Sequence, residues 1–156
     1  MLYLESYNIF NNTNGMPYFG DAGAGILPIS KSTGRILVGL RSEDVNEPGM
    51  WNVFGGKIED RREYNRPELA AERELREESG MTGKLTVIPA YVYKTSGFVY
   101  ANFIGLVTKE FEPILDWEHE DAVWMSLDDL KELEPKHFGL KALMNNSMNI
   151  IEQYAR

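Results

Sequence analysis

The chain has 156 residues, 43% hydrophobic and 26% charged, proportions that fit one globular domain spanning 1–156 with a core able to fold without staples. It has no cysteine, which excludes disulfides and thiolate metal sites, and its two histidines, His119 and His137, are too few for an imidazole-based zinc centre. A net charge of −8 argues against binding polymeric nucleic acid, so any anionic substrate is expected to be small and screened by divalent cations on oxygen ligands, which suits magnesium, manganese or calcium.

The opening "MLYLESYNIF" lacks a basic leader and meets Glu5 before an apolar run develops, so it does not read as a signal peptide. No stretch approaches the ~18 apolar residues of a membrane span, and the cytoplasm is the default expectation. Residues 11–21, "NNTNGMPYFGD", read as a loop. Strands follow at 22–30 and 35–42, joined by the turn residues "KSTG", and then come "WNVF" and "GGKIED". A first helix is expected from near Asn65, with Asn65 as cap, Glu68 at the third position and Pro67 in the first turn, ending at Ser79-Gly80. Two long β-type runs, 84–95 and 98–108, flank Ser96-Gly97, a hairpin turn. A shorter strand lies at 122–126, and "SLDDL" offers Ser126 as a cap with Asp129 three residues on. A last helix is predicted between about His137 and Tyr154, with Leu140, Leu143, Ser147, Ile151 and Tyr154 on one face. Strands and helices alternate without a regular βαβ rhythm, which predicts an α+β fold with a mixed sheet and flanking helices.

Within the first helix, "RELREESG" concentrates charge. Residues three and four apart share a helix face, so Glu74 lies beside Glu77 and Glu78, and Arg73 beside Glu77. The cluster reads either as a solvated face neutralised by Arg73 and Arg76 or as a cage of hard oxygen ligands that a divalent cation would stabilise. Gly56, in a glycine turn leading toward the helix, is a place where a backbone carbonyl can approach a metal closely.

The segment from Gly55 to Met81, "GGKIEDRREYNRPELAAERELREESGM", resembles the signature of Nudix hydrolases. That signature runs Gly, five residues, Glu, seven residues, then Arg-Glu-apolar-any-Glu-Glu-any-Gly-apolar, and Arg73 to Met81 match its second half throughout. Trp51 before the double glycine and the late Trp strand followed by "SLDDL" are also similar to the family, so the resemblance covers about Ala22 to Leu130. It departs in one place: three residues are added in "EDRREYNRP". The first-Glu slot falls on Arg62 counted forward from Gly56 and on Asn65 counted back from Arg73; Glu63 is the nearest acid, and Glu59 is another candidate.

The resemblance implies an α/β/α sandwich with a mixed central sheet and hydrolysis of a nucleoside diphosphate linked to another group X. The X-linked compound is expected to be an ordinary or oxidised nucleoside triphosphate, with ADP-ribose, dinucleoside polyphosphates and nucleotide sugars as alternatives. By the same resemblance, Glu74, Glu77, Glu78 and the Gly56 carbonyl would hold Mg²⁺, with Mn²⁺ as a substitute, and Arg73 would orient one carboxylate through a bidentate pair. A further acid before the Trp124 strand would be Glu118, six residues upstream, as metal ligand or base, with Glu120 the alternative. Arg41 is a candidate for substrate phosphates or for a surface salt bridge; Phe19, Trp51, Tyr18 and Trp117 are candidates for stacking on a base or for packing. Trp124 is assigned to the core, His119 to an exposed loop, and Met144 and Met148 to filling space. A homodimer accords with the family. A reading from another class, a catalytically silent module that binds a nucleotide or a protein partner, draws on the altered loop; an isomerase on the same fold would lack a cysteine for its chemistry.

Overall fold

Side-chain alternation along the strands sorts the apolar residues into two cores, one on each face of a sheet. In the computed structural model, which describes residues 21–156, the elements run β1 (Asp21–Ser30), β2 (Ile36–Arg41), β3 (Trp51–Asn52), β4 (Phe54–Lys57), α1 (Arg61–Asn65), α2 (Pro67–Ser79), β5 (Leu85–Thr95), β6 (Phe98–Val107), β7 (His119–Met125), α3 (Leu127–Glu132) and α4 (Phe138–Tyr154). Seven strands form one sheet in the order β3-β2-β1-β6-β5, with β4 paired to β1 and β7 to β2. The β1–β6 pair is parallel, from Asp21↔Phe98 to Ser30↔Val107, and the other pairs are antiparallel, so the sheet is mixed as expected.

On one face Ala22, Ala24 and Ile26 of β1, Leu37 of β2 and Ala101 and Phe103 of β6 pack with Ala70, Ala71 and Leu75 of α2. On the other, Leu27, Ile29, Ile36, Val38 and Ile104 pack with Leu130 of α3 and Leu140, Leu143, Met144 and Ile151 of α4. Burying each such side chain contributes about 1.5–3 kcal/mol, and the two layers fix one helix system to each face. The α/β/α sandwich follows from this odd–even sorting.

The turn and cap predictions hold at several points. Ser96-Gly97 closes the β5–β6 hairpin, with Thr95 opposite Phe98. The Ser126 hydroxyl accepts from the Asp129 N–H as expected, and α4 gains a cap the sequence reading did not name, the His137 imidazole accepting from the Gly139 N–H. Gly80, at φ 70°, takes the left-handed position past α2 that glycine adopts without a Cβ penalty.

The start of the acidic helix differs from the expectation. Asn65 does not cap it but ends α1, a separate short helix whose own cap is Asp60, accepting from the Glu63 N–H at 2.9 Å. Arg66 precedes α2 without a side-chain cap; Pro67 fills the first position, where its missing N–H leaves no donor to satisfy. The strand expected at 122–126 starts earlier, at His119, because β7 pairs with β2 as far as Arg41↔His119. Among the described residues no helix is long and apolar enough to cross a membrane.

Candidate metal centre and active site

The acidic face of α2 lies against β4, where two glycines bring backbone and carboxylates together. A Cβ on Gly56 would fall 2.5 Å from a Glu74 carboxylate oxygen, so only glycine admits that approach. The neighbouring Gly55 N–H donates to Glu78 Oε1 at 2.8 Å. Glu74 and Glu78 are buried, with 9% and 2% of their surface exposed, whereas the Glu77 side chain is 58% exposed and paired with Arg73 at 3.2 Å.

Burial opposes ionisation of both buried acids. It pushes Glu74 up to about 7, with Glu77 and Glu118 adding to the rise and Arg73 opposing it. Glu78 is pushed up to about 10, chiefly by burial; the Gly55 N–H offsets part of this, and Glu74, Glu118 and Asp116 raise it further. Glu118, which is partly buried, thus acts electrostatically on both helical acids, while Glu120, the alternative, is exposed and enters neither environment.

The added residues before α2 are resolved by Arg73. Its Nε donates to Glu63 Oε2 at 2.5 Å and one terminal nitrogen donates to Glu63 Oε1 at 3.1 Å, a two-pronged pair. The other terminal nitrogen donates to Glu74 at 3.1 Å and Glu77 at 3.2 Å. The two-pronged partner is therefore Glu63 rather than a helical glutamate, which receives single bonds only. Glu63 is buried, and the Arg73 guanidinium holds its carboxyl below the ordinary range, while Glu63 in turn raises Arg73. Counted along the chain, Glu63 stands one residue late from Gly56 and two residues early from Arg73 relative to the signature, so helix α1 divides the insertion between both sides of the acid. Glu59 lies farther out, 67% exposed, with its carboxylate 3.5 Å from Arg73.

Two residues that sequence reasoning did not place here join the site. His119, expected on an exposed loop, is 9% exposed, pairs with Asp116 at 3.0 Å and packs its ring 5.2 Å from that of Phe54. One donor atom from each of Glu78, Asp116 and His119 lies within 4.8 Å of the other two. The signal in the sequence was the three-residue spacing of Asp116 and His119, but only the pairing of β7 with β2 turns it inward.

The remaining candidates lie elsewhere or are otherwise engaged. The Arg41 guanidinium donates to the backbone carbonyls of Asn46 and Glu47, bracing the loop after β2, and no surface salt bridge of Arg41 is formed among the described residues. Trp51 packs on the α4-side core, and its backbone bonds Pro135 and His137, anchoring the start of α4. Trp117 is 66% exposed beside Glu118. Trp124 is half-buried rather than fully in the core, its Nε1–H donating to the Phe111 carbonyl at 2.9 Å. Met144 is buried and Met148 packs on the same core, as expected of filler. Phe19 and Tyr18 lie outside the described residues.

The arrangement fits a hard divalent cation. The donors are carboxylate oxygens with one imidazole nearby, and two of the acids are buried where their charged forms need a positive partner.

A family model described as the NUDIX domain matches residues 21–145. A comparison with curated proteins found no match. Among solved structures, a Nudix hydrolase from M. smegmatis, RenU, superposes with a TM-score of 0.71 at 21% identity, covering 89% of this chain and 89% of that one. A MutT Nudix hydrolase from Burkholderia pseudomallei gives 0.60 at 25% identity, over 81% of this chain and 96% of that one. An Ap4A hydrolase from C. elegans gives 0.65 at 18% identity, over 85% and 99%.

Proposed function

The chain belongs to the Nudix family of hydrolases, and from that premise we propose that it is a divalent-metal-dependent pyrophosphohydrolase cleaving a nucleoside diphosphate linked to a further group X, acting on a small nucleotide in the cytoplasm. The observation that carries this reading is the convergence of buried Glu74 and Glu78, with Glu118 beside them, on the double glycine of β4.

Glu74, Glu77, Glu78 and Glu118, with the Gly56 carbonyl, are the groups that would hold Mg²⁺ or Mn²⁺, and Asp116 and His119 border them. A bound divalent cation neutralises phosphate charge and lowers the pKa of its water. Arg73, itself held by Glu63, fixes the orientation of Glu74 and Glu77. Glu118 would serve either as one of these ligands or as the base that accepts a proton from the attacking water. Phosphoryl transfer demands positioning and charge stabilisation more than covalent help, and this is what a rigid acidic helix supplies. Support for hydrolysis over a silent binding module comes from the Arg73–Glu63 pair, because the added residues leave the acid that partners Arg73 in reach.

X is proposed to complete a nucleoside triphosphate, ordinary or oxidised. The test is a panel of nucleoside triphosphates, oxidised forms, ADP-ribose, dinucleoside polyphosphates and nucleotide sugars with Mg²⁺ or Mn²⁺, products identified by mass. Release of pyrophosphate and a nucleoside monophosphate from triphosphates is expected; no turnover across the panel sinks the assignment.

A further inference from the structure

Glu118 stands at the end of residues 108–118, which join β6 to β7 without a strand or helix of their own. Apolar burial does little to hold the last part of this segment, since Ile114 is 71% exposed and Trp117 66%. Hydrogen bonds hold it instead. The Ile114 N–H donates to the Ser79 carbonyl at 2.8 Å, which ties the segment to the end of the acidic helix.

At Glu118 the bonds converge on one residue, Ser42. The Ser42 N–H donates to the Glu118 carbonyl at 2.8 Å, and the Ser42 hydroxyl donates to the Trp117 carbonyl at 2.9 Å. The Trp117 carbonyl belongs to the peptide before the Glu118 Cα, and the Glu118 carbonyl to the peptide after it. Ser42 therefore grips both planar peptides that flank this Cα, and with them the two dihedrals that aim its side chain. Asp116 steadies the first of these peptides from its other edge, accepting from the Glu118 N–H at 3.2 Å. Among the described residues the Glu118 carboxylate accepts no hydrogen bond, so its direction is set from the backbone.

That direction works against electrostatics. Glu118 opposes the ionisation of both Glu74 and Glu78, and the repulsion is mutual. A carboxylate on a loose segment would relieve it by turning out into water. Ser42 is placed to resist this by the sheet. It follows β2 directly, just past the shift of register between Leu40 and Arg41 in the pairing with β7, and such irregularities re-aim the residues beside them. Ser42 is buried, 7% exposed, and its hydroxyl also accepts from the Asp44 N–H at 3.3 Å. Both capacities of the hydroxyl are thus engaged, and Arg41 beside it braces the loop that follows.

We propose that Ser42 is a positioning residue of the metal centre, holding Glu118 beside Glu74 and Glu78 so that a divalent cation meets a preformed set of acids. Its whole effect on the centre passes through Glu118. The proposal deepens the hydrolase reading, and rests on it only in taking Glu118 as a member of the metal centre.

The test is calorimetric titration with Mn²⁺ alone, which needs no turnover, in a double-mutant cycle on Ser42 and Glu118. Ser42→Ala should weaken Mn²⁺ binding about tenfold. In a Glu118→Ala background the same change should have no further effect, because the group it positions is gone. A serine that served the fold alone would weaken binding equally in both backgrounds. In the unaltered protein the Ser42 amide resonance should shift as Mg²⁺ is added, a readout that does not depend on any variant folding. Full Mn²⁺ affinity in Ser42→Ala, an equal loss in both backgrounds, or a Ser42 amide unmoved by saturating Mg²⁺ overturns the proposal. The expected coupling without hydrolysis of any panel compound keeps the role of Ser42 and removes the hydrolase reading; hydrolysis without coupling does the reverse.

Discussion

Gly55 and Gly56 are neighbours, yet they serve opposite faces of the sheet. Gly56 faces a helix crowded with carboxylates, and Gly55 backs a cleft lined by aromatic rings. Each face carries an unmet electrostatic demand. On the α2 side it is excess negative charge in a buried setting; on the α4 side it is the amide oxygens of Asn52 and Asn102, without donors among the described residues. The lesson is that the molecule keeps its charged and its apolar requirements apart by a single strand.

The comparison is broken most severely on the acidic side. Glu78→Gln should lower turnover by at least about a hundredfold, since even partners outside the ligand set cost 10- to 100-fold, while the fold is kept. Steady-state kinetics beside circular dichroism checks both halves. Arg73→Lys should cost roughly 10- to 100-fold in kcat, because an ammonium cannot reproduce the two-pronged contact with Glu63 while also reaching Glu74 and Glu77; Glu63→Gln should give a similar loss.

The two glycines separate the faces more finely. Gly56→Ala displaces the flexible end of Glu74 and should weaken Mg²⁺ affinity by about tenfold with little loss of stability. In Gly55→Ala the new methyl meets the Ala24 carbonyl as well as Tyr100, and backbone cannot yield cheaply; a loss of about 1–3 kcal/mol is expected by denaturant titration.

A separate effect concerns stability against pH. Glu74 and Glu78 titrate in the folded chain at about 7 and about 10, above the ordinary carboxylate value of 4.5. The folded state therefore binds more protons than the unfolded one between these values, and the stability they contribute is complete below about pH 4.5 and lost as pH rises toward 10. In chelator, the melting temperature should fall steadily between pH 5 and 9, and added Mg²⁺ should recover it. A flat profile in chelator would show that the two acids are not held in a protonated state by their surroundings.

Much of the acidic side was legible because it is local. Glu74, Glu77 and Glu78 are brought together by the helical repeat alone, and Gly80 ends that helix by a residue-specific backbone preference. The insertion was not legible, since counting from either end missed Glu63; a short helix capped by Asp60 decides where that acid stands. His119 reads as exposed when only its polar neighbours in the chain are considered, and it becomes buried because β7 pairs alongside β2 and sets its ring on Phe54.

By itself, the sequence determined the helix that carries the acids, the strands that sort two cores, and the family whose pattern both follow. Those features depend on spacings of two, three or four residues, which backbone geometry converts directly into faces. The tertiary structure alone decided which acid meets Arg73, that Asp116 and His119 border Glu78, and that Asn52 and Asn102 share a cleft. The two asparagines stand 50 positions apart in the chain. Only strand pairing and the docking of α4 bring them together, and contacts of that kind leave no periodic trace in the sequence.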